Sequence, residues 1–297
     1  MTSGAQGAVA AEGMTIQHVA VVGAGTMGAG IAQVAAMAGY DVVLQDVQEP
    51  QLERARTTIA TMLDKGVDRG KVTEAQRDET WARLTLAQDL GVAVASADLV
   101  VEAIPEKMEW KAALFREVET LCPERTLFAS NTSSLSISRL ANETKRADRF
   151  LGMHFFNPVP IMKLLELVVG EATNESTLAA ARAMGARMGK SVIVVKDAPG
   201  FATSRLGIAL GLEAIRMVEQ GVASAEDIDL AMTLGYGHPM GPLRLTDLVG
   251  LDVRLEIARY LHGEFGDDRF RPPVLLEQMV EEGRIGKKAG RGFYDWE

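Results

Sequence analysis

The chain has 297 residues, of which 47% are hydrophobic and 24% charged, and its formal net charge is −9. This length accommodates about two domains, and the composition excludes a wholly disordered chain. The acidic balance argues against a basic surface for nucleic acid, although a local basic patch is compatible with it. The single cysteine, Cys122, excludes an internal disulfide framework and a cysteine-based metal cluster. We therefore expect no metal and a reducing, cytoplasmic location.

The start of the chain does not resemble a targeting segment. Residues 1–13 are rich in Gly, Ala and Ser and contain no basic residue, so we interpret them as a disordered leader rather than a signal peptide. No apolar run approaches the ~18 residues that a membrane-spanning helix needs. We therefore expect no membrane partner.

The first three elements form a β-α-β unit. An apolar, β-branched run predicts a strand from His18 to Gly23, and helical spacing follows from Gly25 to Gly39. A second strand is predicted from Asp41 to Asp46. A β-α-β unit requires parallel strands and a right-handed crossover, so the sequence predicts a parallel sheet.

Two consecutive helices, 50–64 and 73–81, then interrupt the alternation, and we predict a helical protrusion over residues 50–82. Further strands are predicted at 84–87, 98–104, 126–131, 150–155, 163–169 and 191–196, and helices at 107–121, 136–140 and 175–188. Beyond Pro199 only helical spacing remains, at 203–220, 224–234, 244–265 and 273–283. The predicted fold is a Rossmann-type, doubly wound α/β domain at 14–199 and an all-α domain at 200–297.

A glycine-rich loop follows the first strand and opens the first helix. Gly23, Gly25 and Gly28 fit the G-x-G-x-x-G pattern, and Asp46 lies 18 residues beyond, at the end of the second strand. The glycines permit a tight turn, close approach of a pyrophosphate to the helix N-terminus, and close helix–strand packing. Asp46 would accept hydrogen bonds from a ribose 2′-hydroxyl and repel a 2′-phosphate, which favours NAD over NADP. The alternative is a purely structural turn.

A histidine and a carboxylate form a second candidate constellation. His154 ends an apolar strand, and Glu166 interrupts another apolar run. A buried carboxylate is costly unless it is paired, and a nearby imidazole would create a general-base dyad. Hydride transfer from an alcohol needs such a base to remove the hydroxyl proton. The alternatives are an ordinary core imidazole and a solvent-facing glutamate at a sheet edge.

Small polar residues end a further strand, at 129–135. Their hydroxyl and amide groups could hold a substrate oxygen and the nicotinamide ribose. The same residues are compatible with a capped turn leading into a helix.

Seven stretches in order along the chain carry a family resemblance. They are Val21–Gly30, Val101–Ile104, Ser130–Leu135, His154–Pro160, Asp197–Phe201, Met240–Pro242 and Gly286–Tyr294. Together they resemble the L-3-hydroxyacyl-CoA dehydrogenases, in particular the monofunctional 3-hydroxybutyryl-CoA branch. Members of that family have a Rossmann-type domain and a helical domain that dimerises.

The resemblance implies a role for each matching residue. His154 corresponds to the catalytic base and Glu166 to its partner, while Ser133 and Asn157 correspond to residues that contact the 3-oxygen of the substrate. The implied cofactor-binding residues are Gly23, Gly25, Thr26, Met27, Gly28, Asp46, Glu106, Lys111, Asn131 and Lys288.

The substrate-binding residues are less uniform. Ser204 stands where many members carry an asparagine, and its shorter side chain reaches less far. In the family the helical protrusion meets the CoA arm, and this segment carries Arg54, Arg56, Lys65, Arg69 and Lys71. We expect Lys65 and Arg69 to bind the CoA phosphates, although a solvated helix face explains such charges equally well.

The expected function is NAD-dependent oxidation of (S)-3-hydroxyacyl-CoA, in particular 3-hydroxybutyryl-CoA, to 3-oxoacyl-CoA, and the reverse. One alternative is a dehydrogenase of a free hydroxy acid or sugar acid, and another is a non-catalytic NAD-binding relative. A homodimer through the helical domain is also expected. Apolar residues predicted to be exposed there are Leu206, Leu210, Ile215 and Val218.

Overall fold

The computed structural model describes residues 15–296, so the predicted leader at 1–13 lies outside the described residues. The chain consists of two compact units, divided between Asp197 and Ala198. The first unit contains a mostly parallel sheet with helices, and the second is built from helices. The predicted fold class is therefore confirmed.

The sheet of the first unit has eight strands in the order β3-β2-β1-β4-β5-β6-β7-β8. The strands are β1 His18–Val22, β2 Asp41–Gln45, β3 Leu84–Ala87, β4 Leu99–Glu102, β5 Leu127–Ser130, β6 Phe150–Phe155, β7 Leu164–Val169 and β8 Ser191–Lys196. All neighbours pair in parallel except β6 and β7, which are antiparallel. Strand β7 therefore begins at the sheet edge where β1 to β6 end.

The helices of the first unit are α1 Thr26–Met37, α2 Glu49–Asp68, α3 Glu74–Ala82, α4 Leu90–Val94, α5 Met108–Leu121, α6 Ile137–Ala141 and α7 Glu175–Arg187. The short helix α4 was not predicted, and it begins where the Asp89 side chain accepts a hydrogen bond from the Val92 amide. No helix among residues 15–296 is both long and apolar enough to cross a bilayer.

The predicted end of α2 is wrong. The sequence predicts a break from Lys65 onwards, but the helix continues to Asp68 and the chain turns at Gly70, where φ is +64°. The helix contains Gly66, and an isolated glycine inside a helix is tolerated at a cost of about 1 kcal/mol relative to alanine. The buried face of α2 comprises Leu52, Ala55, Ile59 and Leu63. Both α2 and α3 pack against α1.

The second unit contains α8 Thr203–Glu219, α9 Ala225–Gly235, α10 Pro242–Val249, α11 Leu251–Phe265 and α12 Val274–Glu281. The prediction of one helix over 244–265 is wrong, because Gly250 separates α10 from α11. Its φ of +103° lies outside the right-handed helical region, so the hydrogen-bonded turns stop there and start again.

Helix α8 contributes to the core of this unit. Leu206 is 70% exposed and Leu210 36% exposed, as predicted. Ile215 is 0% exposed and belongs to the core of the unit, so its predicted exposure is wrong. Val218 packs against the same core. The helical periodicity alone does not distinguish a face that packs internally from one that faces outward.

A buried carboxylate on α10 holds the end of the chain. The Asp247 carboxylate accepts hydrogen bonds from the Phe293 amide (2.9 Å), the Tyr294 amide (2.9 Å) and the Trp296 indole (2.8 Å). Gly292 packs so closely against the Asp247 carboxylate that a Cβ would collide with it. Asp247 therefore attaches the C-terminal segment to the helical unit.

We expect Asp247→Asn to lower the free energy of unfolding by about 2 kcal/mol, because an amide nitrogen would face donors that now meet a charged acceptor. Urea unfolding measures this change. Asp295→Asn is the matched control, since that side chain is 92% exposed and its ion pair with Arg291 should contribute less than about 1 kcal/mol. Equal stability of the two variants would contradict the role of Asp247.

Candidate active site

The glycine-rich loop connects β1 to α1. Gly23 has φ of +100°, and a Cβ there would lie 2.7 Å from the Ala103 carbonyl oxygen. A Cβ at Gly28 would collide with the Gly23 carbonyl, whereas one at Gly25 would meet no heavy atom within 4 Å. The loop is thus tightly packed where it meets the protein and open at the N-terminus of α1. Backbone N–H groups at such an open helix end suit a phosphate.

A cleft of about 760 Å³ opens beside this loop. It brings together the predicted cofactor residues Gly23, Gly25, Thr26, Met27 and Asp46, and it is also lined by Ile104, Trp110 and Leu114. Its volume falls in the range of small-molecule sites, ~300–1,000 Å³. It lies where the strand order reverses between β1 and β4, which is the usual position of a dinucleotide in this type of sheet.

Asp46 supports the loop as well as lining the cleft. One carboxylate oxygen accepts a hydrogen bond from the Ala24 amide (2.9 Å), and the other accepts one from the Gln48 amide (2.9 Å). Each carboxylate oxygen has a second lone pair, so these bonds leave acceptor capacity for a ligand hydroxyl.

His154 and Glu166 are paired across two neighbouring strands. The antiparallel register of β6 and β7 places them opposite each other, and His154 Nδ1 lies 2.9 Å from Glu166 Oε2. The Glu166 side chain is 0% exposed and that of His154 8%. Because β7 lies between β6 and β8, Glu166 is not a solvent-facing edge residue, and the predicted contact is present.

The loop that follows His154 contacts the imidazole at Phe156 and helix α1 at Val159. The Phe156 ring lies 4.4 Å from the imidazole, measured between ring centroids. Val159 is buried against α1, where a Cβ at Gly30 would lie 2.8 Å from the Val159 Cβ. Asn157 is exposed in this loop and precedes Pro158 through a cis peptide bond.

A buried polar network occupies the ends of β4 and β5. Lys111 Nζ, on α5, lies 2.5 Å from Glu102 Oε1 and 3.2 Å from Glu106 Oε2. The Ser130 hydroxyl donates to Glu102 Oε2 (2.6 Å), and the Ile104 amide donates to Glu102 Oε1 (2.8 Å). The Glu102 carboxylate therefore connects the ends of β4 and β5, the loop at Ile104 and helix α5.

The turn after β5 joins the same network. Glu106 Oε1 accepts hydrogen bonds from the Thr132 hydroxyl, from the Ser133 amide (2.9 Å) and from the Ser133 hydroxyl (3.3 Å). Asn131 Oδ1 accepts one from the Phe155 amide (2.9 Å), directly after His154. The polar residues of this turn are thus connected both to Glu106 and to the end of β6.

The two carboxyl groups of the network differ in acidity. Burial raises the pKa of Glu102, despite the neighbouring Lys111 ammonium and the donated hydrogen bonds. Burial acts in the same direction on Glu106, but Lys111 and the hydrogen bonds from Thr132 and Ser133 outweigh it and lower its pKa. Glu106 is therefore the more readily ionised of the two.

The sequence analysis assigned no individual role to Glu102, Ser130 or Thr132, although they lie within the stretches 101–104 and 129–135. One signal was present, because Glu102 ends the apolar run of β4 as Glu166 interrupts that of β7. Lys111 was expected to contact the cofactor, yet its side chain is 1% exposed and its ammonium faces Glu102, Glu106 and the Ile104 carbonyl.

The remaining predicted residues lie elsewhere. Ser204 lies in the first turn of α8, and Lys288 forms a 2.6 Å ion pair with Asp252, both in the second unit. Lys65 and Arg69 are exposed at the far end of α2 and do not line the cleft. At 1.5 Å per residue, Lys65 is about 21 Å along the helix from Gln51, which does line it. Residues 15–296 contain no group of three or more His, Cys, Asp or Glu side chains placed to hold a metal ion.

Known proteins share both parts of this architecture. Residues 18–198 match the family model of the 3-hydroxyacyl-CoA dehydrogenase NAD binding domain, and residues 200–296 match that of the C-terminal domain. A Bacillus subtilis (strain 168) protein named probable 3-hydroxybutyryl-CoA dehydrogenase is 45% identical over 284 residues, covering 96% of this chain and 99% of the relative. The 3-hydroxybutyryl-CoA dehydrogenase of Bradyrhizobium diazoefficiens is 44% identical, covering 95% of this chain and 96% of the relative.

A solved structure supports the same relationship. The crystal structure of (S)-3-hydroxybutyryl-CoA dehydrogenase PaaH1 from Ralstonia eutropha superposes with a TM-score of 0.92 at 42% identity. The match covers 95% of this chain and 100% of that chain. Together with the two family models, these similarities show that the chain belongs to the NAD-dependent 3-hydroxyacyl-CoA dehydrogenase family.

Proposed function

We propose that this protein oxidises (S)-3-hydroxybutyryl-CoA to acetoacetyl-CoA with NAD and catalyses the reverse reaction. The paired His154 and Glu166 at the carboxyl edge of the sheet carry this proposal. Relatives named as 3-hydroxybutyryl-CoA dehydrogenases support the short acyl chain. When bound, NAD supplies the hydride acceptor, and NADH the donor in reverse.

His154 is the general base of this proposal. Its Nδ1 is hydrogen-bonded to Glu166, so proton exchange with the substrate 3-oxygen falls to Nε2. The Glu166 carboxylate fixes the tautomer and stabilises the imidazolium that forms as the hydroxyl proton leaves. In the reverse direction the imidazolium returns the proton to the carbonyl oxygen. Burial of the pair keeps water from competing for these hydrogen bonds.

The other roles follow the family resemblance. Ser133 and Asn157 contact the substrate 3-oxygen in this proposal, and Ser204 offers a further hydroxyl. Asn131, Glu106 and Lys288 serve the nicotinamide half of the cofactor, while Lys65 and Arg69 meet the phosphates of CoA. The exposed positions of Lys65 and Arg69 are compatible with a mobile, charged carrier arm.

Reduction of acetoacetyl-CoA, followed through the absorbance of NADH, tests the reaction and the dyad together. We expect His154→Gln to lower kcat by at least ~100-fold with nearly unchanged NADH binding, because the proton-transfer group is lost. We expect Glu166→Gln to lower kcat strongly without unfolding the chain. An amide opposite Nδ1 favours the wrong tautomer.

His18→Gln is the control, since that histidine is exposed at the start of β1, on the sheet edge opposite to the one at which His154 lies. Unchanged acetoacetyl-CoA reduction by His154→Gln would rule out the mechanism. Oxidation of free 3-hydroxybutyrate as fast as that of its CoA thioester would instead favour a hydroxy-acid dehydrogenase. Binding of NADH without any turnover by the wild-type protein would favour a non-catalytic relative.

Asp46 is proposed to bind the adenosine ribose. We expect Asp46→Asn to reduce the preference for NADH over NADPH by about 10-fold, because it removes a charged acceptor for the 2′-hydroxyl. Weaker binding of both cofactors is also expected, since the loop loses support at Ala24. Asp41→Asn, at the other end of β2, is the control. A cofactor ratio that does not change in Asp46→Asn would remove Asp46 from this role.

A homodimer through the helical unit is the proposed assembly. Exposed Leu206 and Leu210 on α8 support it, because large apolar side chains at successive turns favour burial in an interface. We expect Leu206→Glu combined with Leu210→Glu to give monomers in sedimentation equilibrium, while the wild-type protein sediments as a dimer. A wild-type monomer, or a double variant that remains dimeric, would contradict this interface.

A further inference from the structure

Lys111 carries a charge that is buried in the first unit. Its side chain is 1% exposed, and its ammonium has three oxygens around it, from Glu102, Glu106 and the Ile104 carbonyl. The ammonium donates hydrogen bonds to Glu102 and to the Ile104 carbonyl, and Glu106 Oε2 lies at ion-pair distance, 3.2 Å. Lys111 is therefore built to hold protein groups in place, and direct contact with a ligand is not needed to explain it.

The two carboxylates on Lys111 are unequal partners. Glu102 is fully buried and receives further hydrogen bonds from Ser130 and from the Ile104 amide. Glu106 has a side chain that is 37% exposed and lies in the loop before α5. A loop carboxylate with that exposure would sample several rotamers, and the ion pair with a buried, immobile ammonium restricts it.

Glu106 is hydrogen-bonded to the turn after β5, so it also restricts the conformation of that turn. Its Oε1 receives the Thr132 hydroxyl and both the amide and the hydroxyl of Ser133. The Thr132 hydroxyl in turn accepts a hydrogen bond from the Leu135 amide (2.9 Å), which closes the turn. The Ser133 amide and hydroxyl are thus both hydrogen-bonded to the carboxylate that Lys111 restricts.

The same turn reaches the dyad. Asn131 accepts a hydrogen bond from the amide of Phe155, the residue that follows His154. Lys111, Glu106, the turn and the end of β6 form one continuous series of polar contacts within the first unit. Displacement of Glu106 would therefore affect both Ser133 and the backbone beside the base.

We propose that Lys111 is a positioning residue for the reaction: its buried ammonium holds Glu106, and through Glu106 it holds the Asn131–Ser134 turn beside His154. This inference rests on the proposed function, because it assumes that Ser133 and His154 serve the same substrate. It differs from the role that the family resemblance implies, in which Lys111 itself contacts the cofactor.

The competing explanation is that Lys111 only neutralises the buried charge of Glu102. The double variant Lys111→Met with Glu102→Gln separates the two explanations, because it removes the ammonium without leaving a charged Glu102 behind. We expect this double variant to fold and to retain a kcat about 10-fold to 100-fold below the wild-type value, with a KM for NADH within about 3-fold of it. Recovery of wild-type kcat would overturn the proposal.

A second cycle tests the path through the turn. If Lys111 acts through Glu106 and Ser133, adding Ser133→Ala to the Lys111 and Glu102 double variant should lower kcat by less than Ser133→Ala does in the wild-type background. Independent effects that multiply would contradict the path. A raised KM for NADH with unchanged kcat would instead indicate direct contact between Lys111 and the cofactor.

Arg146→Met is the matched control for the loss of a shielded ion pair. Arg146 and Glu119 form a 3.3 Å pair in the same unit, with side chains 13% and 15% exposed. We expect this variant to lower the melting temperature and leave kcat unchanged. A comparable loss of kcat in Arg146→Met would show that general loosening of the unit explains the effect. Absence of acetoacetyl-CoA reduction by the wild-type protein would refute the proposed function, which is a separate outcome.

Discussion

A carboxylate inside an apolar strand is costly unless it is paired, and in the first unit His154 pairs with Glu166. Glu166 has no exposed surface, and the strand beside it is antiparallel, so the residue opposite is the last but one of β6, which is His154. The single antiparallel pairing in the sheet thus brings an acid to the edge where the parallel strands end. If β6 and β7 were parallel, Glu166 would lie near the start of β6 and not opposite His154 at its end. The imidazole would then lack its partner.

The same constraint recurs three strands away, at Glu102 on β4. That carboxylate also terminates an apolar strand, and Lys111 provides its counter-charge from a neighbouring helix. The two acidic residues differ in their partners. Imidazole is a common general base in enzymes, whereas the Lys111 ammonium is enclosed by oxygens of the protein. The His154–Glu166 pair is therefore suited to proton transfer, and the Lys111–Glu102 pair is suited to fixing the residues around it.

Much of the fold is predictable because its strands are short apolar runs with clear ends. Strands β3, β6 and β8 have the predicted bounds, 84–87, 150–155 and 191–196. Two errors in the helix bounds concern glycines. Gly66 is accommodated within α2, whereas Gly250 separates α10 from α11. Whether a glycine adopts a positive φ depends on the packing around it, which local spacing does not report.

The candidate site is likewise only partly predictable from the sequence. Pairing of His154 with Glu166 is predictable, because each stands out in an apolar run at the same sheet edge. The network around Lys111 is not, because its members come from two strand ends, a loop and a helix, and only the folded chain brings them together. Family resemblance identified Lys111 and Glu106 as important positions, but it did not indicate that the ammonium points inward.

The pairing of His154 with Glu166 across β6 and β7 also limits how this part of the gene can change. Side chains alternate between the two faces of a strand, so insertion or deletion of one residue within either strand would turn one partner to the opposite face. The loop between the strands has restrictions of its own, because Val159 packs on α1 and the Val159 and Met162 carbonyls accept hydrogen bonds from Lys190. Changes in length should therefore be absent among homologous chains both from the two strands and from the loop that joins them.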